Sequence, residues 1–133
     1  LFMFVMNRMA NEMGMKNTHF ENPTGLQHQK SRSTAYDMAL LSTAFAGHPT
    51  LMAVVQKKNY HYTVYNNRLC TSKYDIPLTR PGVWRNTNHL LWRKRDCRGG
   101  KTGYTPWAGP CLSSVFKIKH MEFVVVLLRS ATP

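Results

Sequence analysis

Gly99-Gly100-Lys101-Thr102-Gly103-Tyr104-Thr105 is the stretch around which this chain is organised. The two leading glycines permit a backbone turn that other residues resist. The five residues after them alternate as a strand does, with Lys101, Gly103 and Thr105 on one face. A glycine inside a strand often marks a place where a ligand or a second backbone comes close. A lysine beside a threonine offers an ammonium and a hydroxyl, two donors suited to a carboxylate. The same residues also fit a surface lysine and a turn before an ordinary strand, and a three-residue match does not separate these readings.

Working outward, the last third reads as three strands, at about 101–106, 111–118 and 121–129. Lys117-Ile118-Lys119-His120-Met121 contains the turn between the last two, although it lacks an Asn-Gly signal. Residues 123–128, Phe-Val-Val-Val-Leu-Leu, show no alternation, the pattern of a strand covered on both faces. Helices can cover one of those faces, and little in the chain is left for the other. Upstream, Phe2, Val5, Met6, Met9, Ala10 and Met13 recur at helical spacing and predict a helix over 2–13 with a core-facing stripe. Gly14 fits the position just past its end. Asn17–Phe20 reads as a short extended piece, Asn22-Pro23-Thr24-Gly25-Leu26 as a turn, and 27–32 as exposed polar chain.

Ser33 or Thr34 caps a second helix, and Thr34 with Asp37 resembles a capping box with Asp in place of Glu. Met38, Leu41, Ala44 and Phe45 form its buried stripe, and Gly47 with Pro49 ends it. A shorter helix follows from Pro49 to about Gln56. Tyr60-His61-Tyr62-Thr63-Val64-Tyr65 reads as a strand. Residues 66–98 lack periodicity and are punctuated by Pro77, Pro81 and Gly82, which predicts a long functional loop or an insertion. Within it, residues 86–92 look like an ordered turn with apolar anchors. The expected fold class is α+β: an antiparallel sheet of three C-terminal strands, with 60–65 as a further strand, packed with two to three helices.

A length of 133 residues makes one domain or part of one. The net charge of +12, from 18 Lys and Arg against 6 Asp and Glu, favours polyanions such as RNA, acidic protein surfaces or anionic cell-wall polymers. Its clusters are Lys57-Lys58 and Arg93-Lys94-Arg95 with Arg98, and no nucleic-acid motif accompanies them. Three cysteines, Cys70, Cys97 and Cys111, argue against a complete disulfide framework. No zinc spacing is present, and neither a metal nor a cofactor is expected. No apolar run reaches the roughly 18 residues of a membrane span. Leu1–Met6 is too short for a signal peptide, and a start without Met is expected of a processed chain or a fragment.

Several motifs occur together in order: Phe4-Val5-Met6-Asn7, Met13-Gly14-Met15, Thr18-x-Phe20-x-Asn22-Pro23-x-Gly25-Leu26, Ser33-Thr34-Ala35-x-Asp37-Met38-Ala39-x-Leu41, Asn86-x-Asn88-x-Leu90-Leu91, and Lys101-Thr102-Gly103-Tyr104-Thr105 with Ala108-Gly109. In these the chain resembles the serine-type D-alanyl-D-alanine carboxypeptidases, low-molecular-mass penicillin-binding proteins of peptidase family S11. The resemblance covers nearly all of it except about 57–85. It implies a penicillin-binding-protein/β-lactamase-like fold and catalysis by three motifs: Ser-x-x-Lys, Ser-x-Asn and Lys-Thr-Gly. By that resemblance, Lys101 and Thr102 hold the terminal carboxylate of a peptidoglycan-type D-Ala-D-Ala peptide. Gly103 lets the substrate strand approach, and the backbone N–H of Tyr104 helps stabilise the oxyanion.

The family's first two motifs are absent. Ser114-Val115-Phe116-Lys117 has Ser-x-x-Lys spacing, but in a strand those side chains face opposite sides. Tyr65-Asn66-Asn67 has the spacing of a Tyr-x-Asn variant without a helical setting. The expectation is therefore that 1–133 form a single partial domain, the C-terminal half of the family's catalytic domain, with no catalytic nucleophile of its own. Its partner is then the missing N-terminal half, or a second chain that completes the sheet, in the cell envelope. The alternative is a non-catalytic subunit repurposed inside a larger intracellular or organellar assembly, binding acidic protein or RNA surfaces.

Overall fold

The computed structural model describes residues 1–64 and 80–131. Its elements are α1 (Phe2–Glu12), α2 (Ala35–Ala46), α3 (Pro49–Val55), β1 (Asn59–Val64), β2 (Arg80–Arg85), α4 (Leu90–Arg93), β3 (Cys97–Thr105), β4 (Gly109–Ile118) and β5 (Met121–Leu127). The last three form an antiparallel sheet in the order β3-β4-β5, as the three C-terminal strands predict. Short connections impose that order, because neighbours joined by two or three residues can only pair antiparallel. Lys119 takes a positive φ of 55° in the β4–β5 turn, the conformation for which Asn or Gly is the usual choice.

β3 begins earlier than expected. Gly99 and Gly100 lie inside it, after a bulge between Cys97 and Gly99, and not in a turn before it. Their φ values are +109° and +155°. A Cβ on Gly99 would overlap the Val55 carbonyl at the end of α3, and one on Gly100 would overlap the Ser113 carbonyl of β4. Absent side chains therefore let α3 and β4 close on this strand.

Residues 60–65 do not extend that sheet. β1 pairs antiparallel with β2 in a separate two-stranded sheet, so part of the expected irregular stretch 66–98 is a strand. Pro81 and Gly82 hid it. Proline is tolerated because each strand of a two-stranded sheet has an unpaired edge. Gly82 sits opposite Tyr62, whose ring lies across the space a Cβ would fill and packs on Trp84 with ring centres 4.6 Å apart. Tyr65, Cys70, Pro77 and the Tyr65-Asn66-Asn67 motif lie outside the described residues.

α2 packs on β4 and β5, with the Ser42 and Ser113 hydroxyls 2.6 Å apart. Val124 and Val126 are half-buried, whereas Phe123, Val125 and Leu127 are exposed. Among the described residues, the face that carries Phe123, Val125 and Leu127 is therefore exposed, and the lack of alternation in 123–128 does not reflect two covering layers there. The predicted stripes also need correcting: Phe2 and Met9 of α1 and Ala44 of α2 are exposed. The buried residues of those helices are Ala10, Asp37 and Ser42.

Asp37, 1% exposed, joins the first third of the chain together. Its N–H donates to Thr34 Oγ1 (3.1 Å), the forward half of the capping box. Its carboxylate does not close the box but accepts from the Asn17 N–H (2.8 Å) and Thr18 Oγ1 (2.7 Å), tying the segment after α1 to α2. Asn7 makes a similar tie, donating to the Phe20 carbonyl and accepting from its N–H, each at 2.8 Å. Burial pushes the Asp37 carboxyl up, but hydrogen bonds from Thr18, Asn17 and Thr34 outweigh it and hold the group below its ordinary value. A lowered folded-state pKa contributes stability that is present above the unfolded value near ~3.9 and lost as pH falls through the folded one. Asp37→Asn is expected to be less stable than wild type at pH 7 and to lose less stability between pH 5 and pH 2. Denaturant midpoints measured across that range check this.

Candidate functional site

β3 is an edge strand, and among the described residues no strand pairs with its outer side. Its register opposite β4 places Lys101 against Ser113, Thr102 against Leu112, Gly103 against Cys111 and Tyr104 against Pro110. Cross-strand partners share a face. Lys101 and Gly103 therefore lie on the face where Ser113 meets Ser42 of α2, and Thr102 and Tyr104 lie on the other. The Lys101 ammonium donates to the main-chain carbonyl oxygen of Thr102, at the edge of the strand, while the Thr102 hydroxyl lies on the second face. Among the described residues, no carboxylate lies within ion-pair distance of Lys101. Gly103 is exposed and nothing would meet a Cβ there, so the strand edge is open at this point. Tyr104 is 72% exposed.

The 86–92 turn supports this edge from the second face. Asn86 Nδ2 donates to the carbonyls of Val55 (3.0 Å) and Lys57 (2.9 Å), holding the turn to the end of α3. Its Oδ1 accepts from the Asn88 N–H (2.9 Å). Asn88, 1% exposed, donates from Nδ2 to Ser114 Oγ (2.8 Å) and accepts at Oδ1 from the Leu90 N–H (3.1 Å). Both asparagines were legible as an ordered turn. Thr87 between them carried no signal of its own, yet its Oγ1 lies 2.6 Å from Thr102 Oγ1.

Ser114 and Lys117 are not a nucleophile and base. Ser114 is fully buried and bonded to Asn88, while Lys117 is exposed and lies 3.7 Å from Glu122. Cys97 and Cys111 are free thiols. No single helix among the described residues is long and apolar enough to cross a membrane.

A family model described as D-alanyl-D-alanine carboxypeptidase, peptidase S11, matches residues 1–132. The D-alanyl-D-alanine carboxypeptidase DacF of Bacillus subtilis is 33% identical over 132 residues, which are 99% of this chain and 31% of that protein. A D-alanyl-D-alanine endopeptidase of Escherichia coli is 35% identical over 128 residues, 96% of this chain and 37% of that protein. Among solved structures, a point mutant of a Streptomyces DD-transpeptidase superposes with a TM-score of 0.83 at 27% identity, covering 98% of this chain and 48% of that one. The carboxypeptidase DacD of Francisella tularensis gives 0.81 at 26%, covering 98% of this chain and 40% of that one. The chain spans about a third of the length of these curated relatives.

Two glycines three residues apart in β3 should respond differently to a methyl group. Gly100→Ala is expected to destabilise by about 2–4 kcal/mol, because it adds both overlap with β4 and a strained φ. Gly103→Ala is expected to change stability by less than ~1 kcal/mol, since its surroundings are open. Thermal or denaturant unfolding of the two variants checks the contrast.

Proposed function

Because this chain belongs to the D-alanyl-D-alanine carboxypeptidase family of peptidase S11, we propose that it supplies the carboxylate-gripping part of a serine acyl-transfer site. It works with a Ser-x-x-Lys nucleophile that the 133 residues do not contain. The observation that carries this reading is the Lys101 ammonium at the Thr102 main-chain carbonyl, next in sequence to the Thr102 hydroxyl, on an unpaired strand edge with no carboxylate in ion-pair distance among the described residues. Such a pair can hold the free carboxylate of a peptide ending in D-Ala-D-Ala, through one charge-assisted contact and one hydroxyl hydrogen bond. The peptide then lies along β3, where Gly103 leaves room for its backbone. The Tyr104 N–H helps stabilise the oxyanion as the serine hydroxyl attacks the penultimate carbonyl. The C–N bond breaks, terminal D-Ala leaves with the proton, and water hydrolyses the acyl ester to restore the hydroxyl. In this reading residues 1–133 are the C-terminal half of the catalytic domain, and the exposed row Phe123, Val125 and Leu127 is where the nucleophile-bearing half packs.

The same exposed row, with the +12 charge, favours a second reading: a non-catalytic subunit whose sheet is covered by neighbours in an assembly. β-Lactam labelling separates the two. The chain alone is expected to take no covalent adduct, and an adduct on one of its own serines would overturn the proposal. Combined with the polypeptide that carries Ser-x-x-Lys, an adduct is expected on that serine. Lys101→Ala should slow its formation roughly 10–150-fold, as loss of a charged hydrogen bond implies. Failure to acylate in that combination favours the assembly subunit.

A further inference from the structure

Thr87 stands outside the Lys-Thr-Gly stretch yet touches its hydroxyl. Resting on the reading of Lys101 and Thr102 as a carboxylate grip, we propose that Thr87 is a positioning residue: it directs the Thr102 hydroxyl proton toward the ligand and so sets the preference for a free carboxylate.

The argument is one of proton counting. Thr87 Oγ1 and Thr102 Oγ1 are 2.6 Å apart, a short hydroxyl–hydroxyl hydrogen bond. Each hydroxyl has one proton and two lone pairs, and only one proton lies between them. If Thr102 donates to Thr87, it has no proton left for an anion. If Thr87 donates to Thr102, the Thr102 proton is free and its oxygen, already accepting, becomes a stronger donor. A carboxylate can only accept, so it selects the second arrangement. A terminal carboxamide both donates and accepts, so it is compatible with either. Thr87 therefore contributes to carboxylate binding and little to carboxamide binding.

The surroundings fix Thr87 without using its side chain. Asn86 is bonded to the carbonyls of Val55 and Lys57, and Asn88 to Ser114 Oγ and to the Leu90 N–H. The Asn86–Asn88 hydrogen bond closes the turn across it. Thr87 itself is exposed, so its hydroxyl can be removed with the turn intact.

The test uses the protein together with its nucleophile-bearing portion. Acylation or hydrolysis rates are measured for a peptide ending in free D-Ala-D-Ala and for the same peptide ending in a carboxamide. Thr87→Val is expected to lower the rate constant for the carboxylate peptide roughly 3–10-fold, about one neutral hydrogen bond, and to leave the carboxamide peptide within about twofold. Thr87→Ser is expected to restore the wild-type preference. On a Thr102→Val background, Thr87→Val should add nothing further, because the hydroxyl it directs is gone. Equal losses on both peptides, or an unchanged preference in Thr87→Val, would overturn the proposal. So would a Thr87→Ser variant that folds but loses the preference, which decides the matter even if the valine variant is unstable. A wild-type protein inactive on both peptides removes the underlying carboxylate grip, an outcome distinct from a Thr87 effect.

Discussion

The contact on which this structure depends is the approach of α3 and β4 to the backbone of β3 at Gly99 and Gly100. A side chain at either position would occupy the space of a carbonyl, from Val55 on one side and Ser113 on the other. Closing these contacts sets where β3 lies relative to both neighbours, and Lys101 and Thr102 follow immediately along the strand. The cost is local. Glycine gives up more chain entropy than any other residue when it is ordered, and two in succession weaken a strand. That cost is offset by the pairing of β3 with β4 along nearly its whole length.

A second set of polar ties holds the pieces that surround this strand. Asn86 and Asn88 fasten the turn before α4 to α3 and to Ser114, and Ser42 joins α2 to Ser113. Farther away, Asp37 and Asn7 bind the loops after α1 to the helices. Among the described residues the fully buried side chains are Asn88, Asp37 and Ser114, not large apolar ones. Among the described residues α2 covers β4 and β5 from one face, the turn leading into α4 reaches the other face at Ser114, and Phe123, Val125 and Leu127 stay exposed there. Buried polar groups must find partners, so here they specify geometry.

Much of the architecture was legible because short-range rules govern it. The helices over 2–13 and 35–46, the short helix from Pro49 and the three C-terminal strands are set by periodicity, caps and breakers. β2 was not legible. Pro81 and Gly82 signal a loop in any local reading, and only Tyr62 lying over Gly82 and packing on Trp84 makes that segment a strand. The glycines before Lys101 read as a turn because the feature that demands them is contact with residues more than ten positions away.

The sequence alone determined the order of the elements apart from β2, the Lys-Thr-Gly stretch and the family, since each is written in residue types at short fixed spacings. Tertiary structure alone decided that β3 is an open edge among the described residues, that Asp37 and Asn88 are buried ties, and that Thr87 meets Thr102. Those facts depend on which distant segments come within a few ångströms of each other. Hydrogen bonds and steric overlap act only at that range, and position along the chain does not encode it.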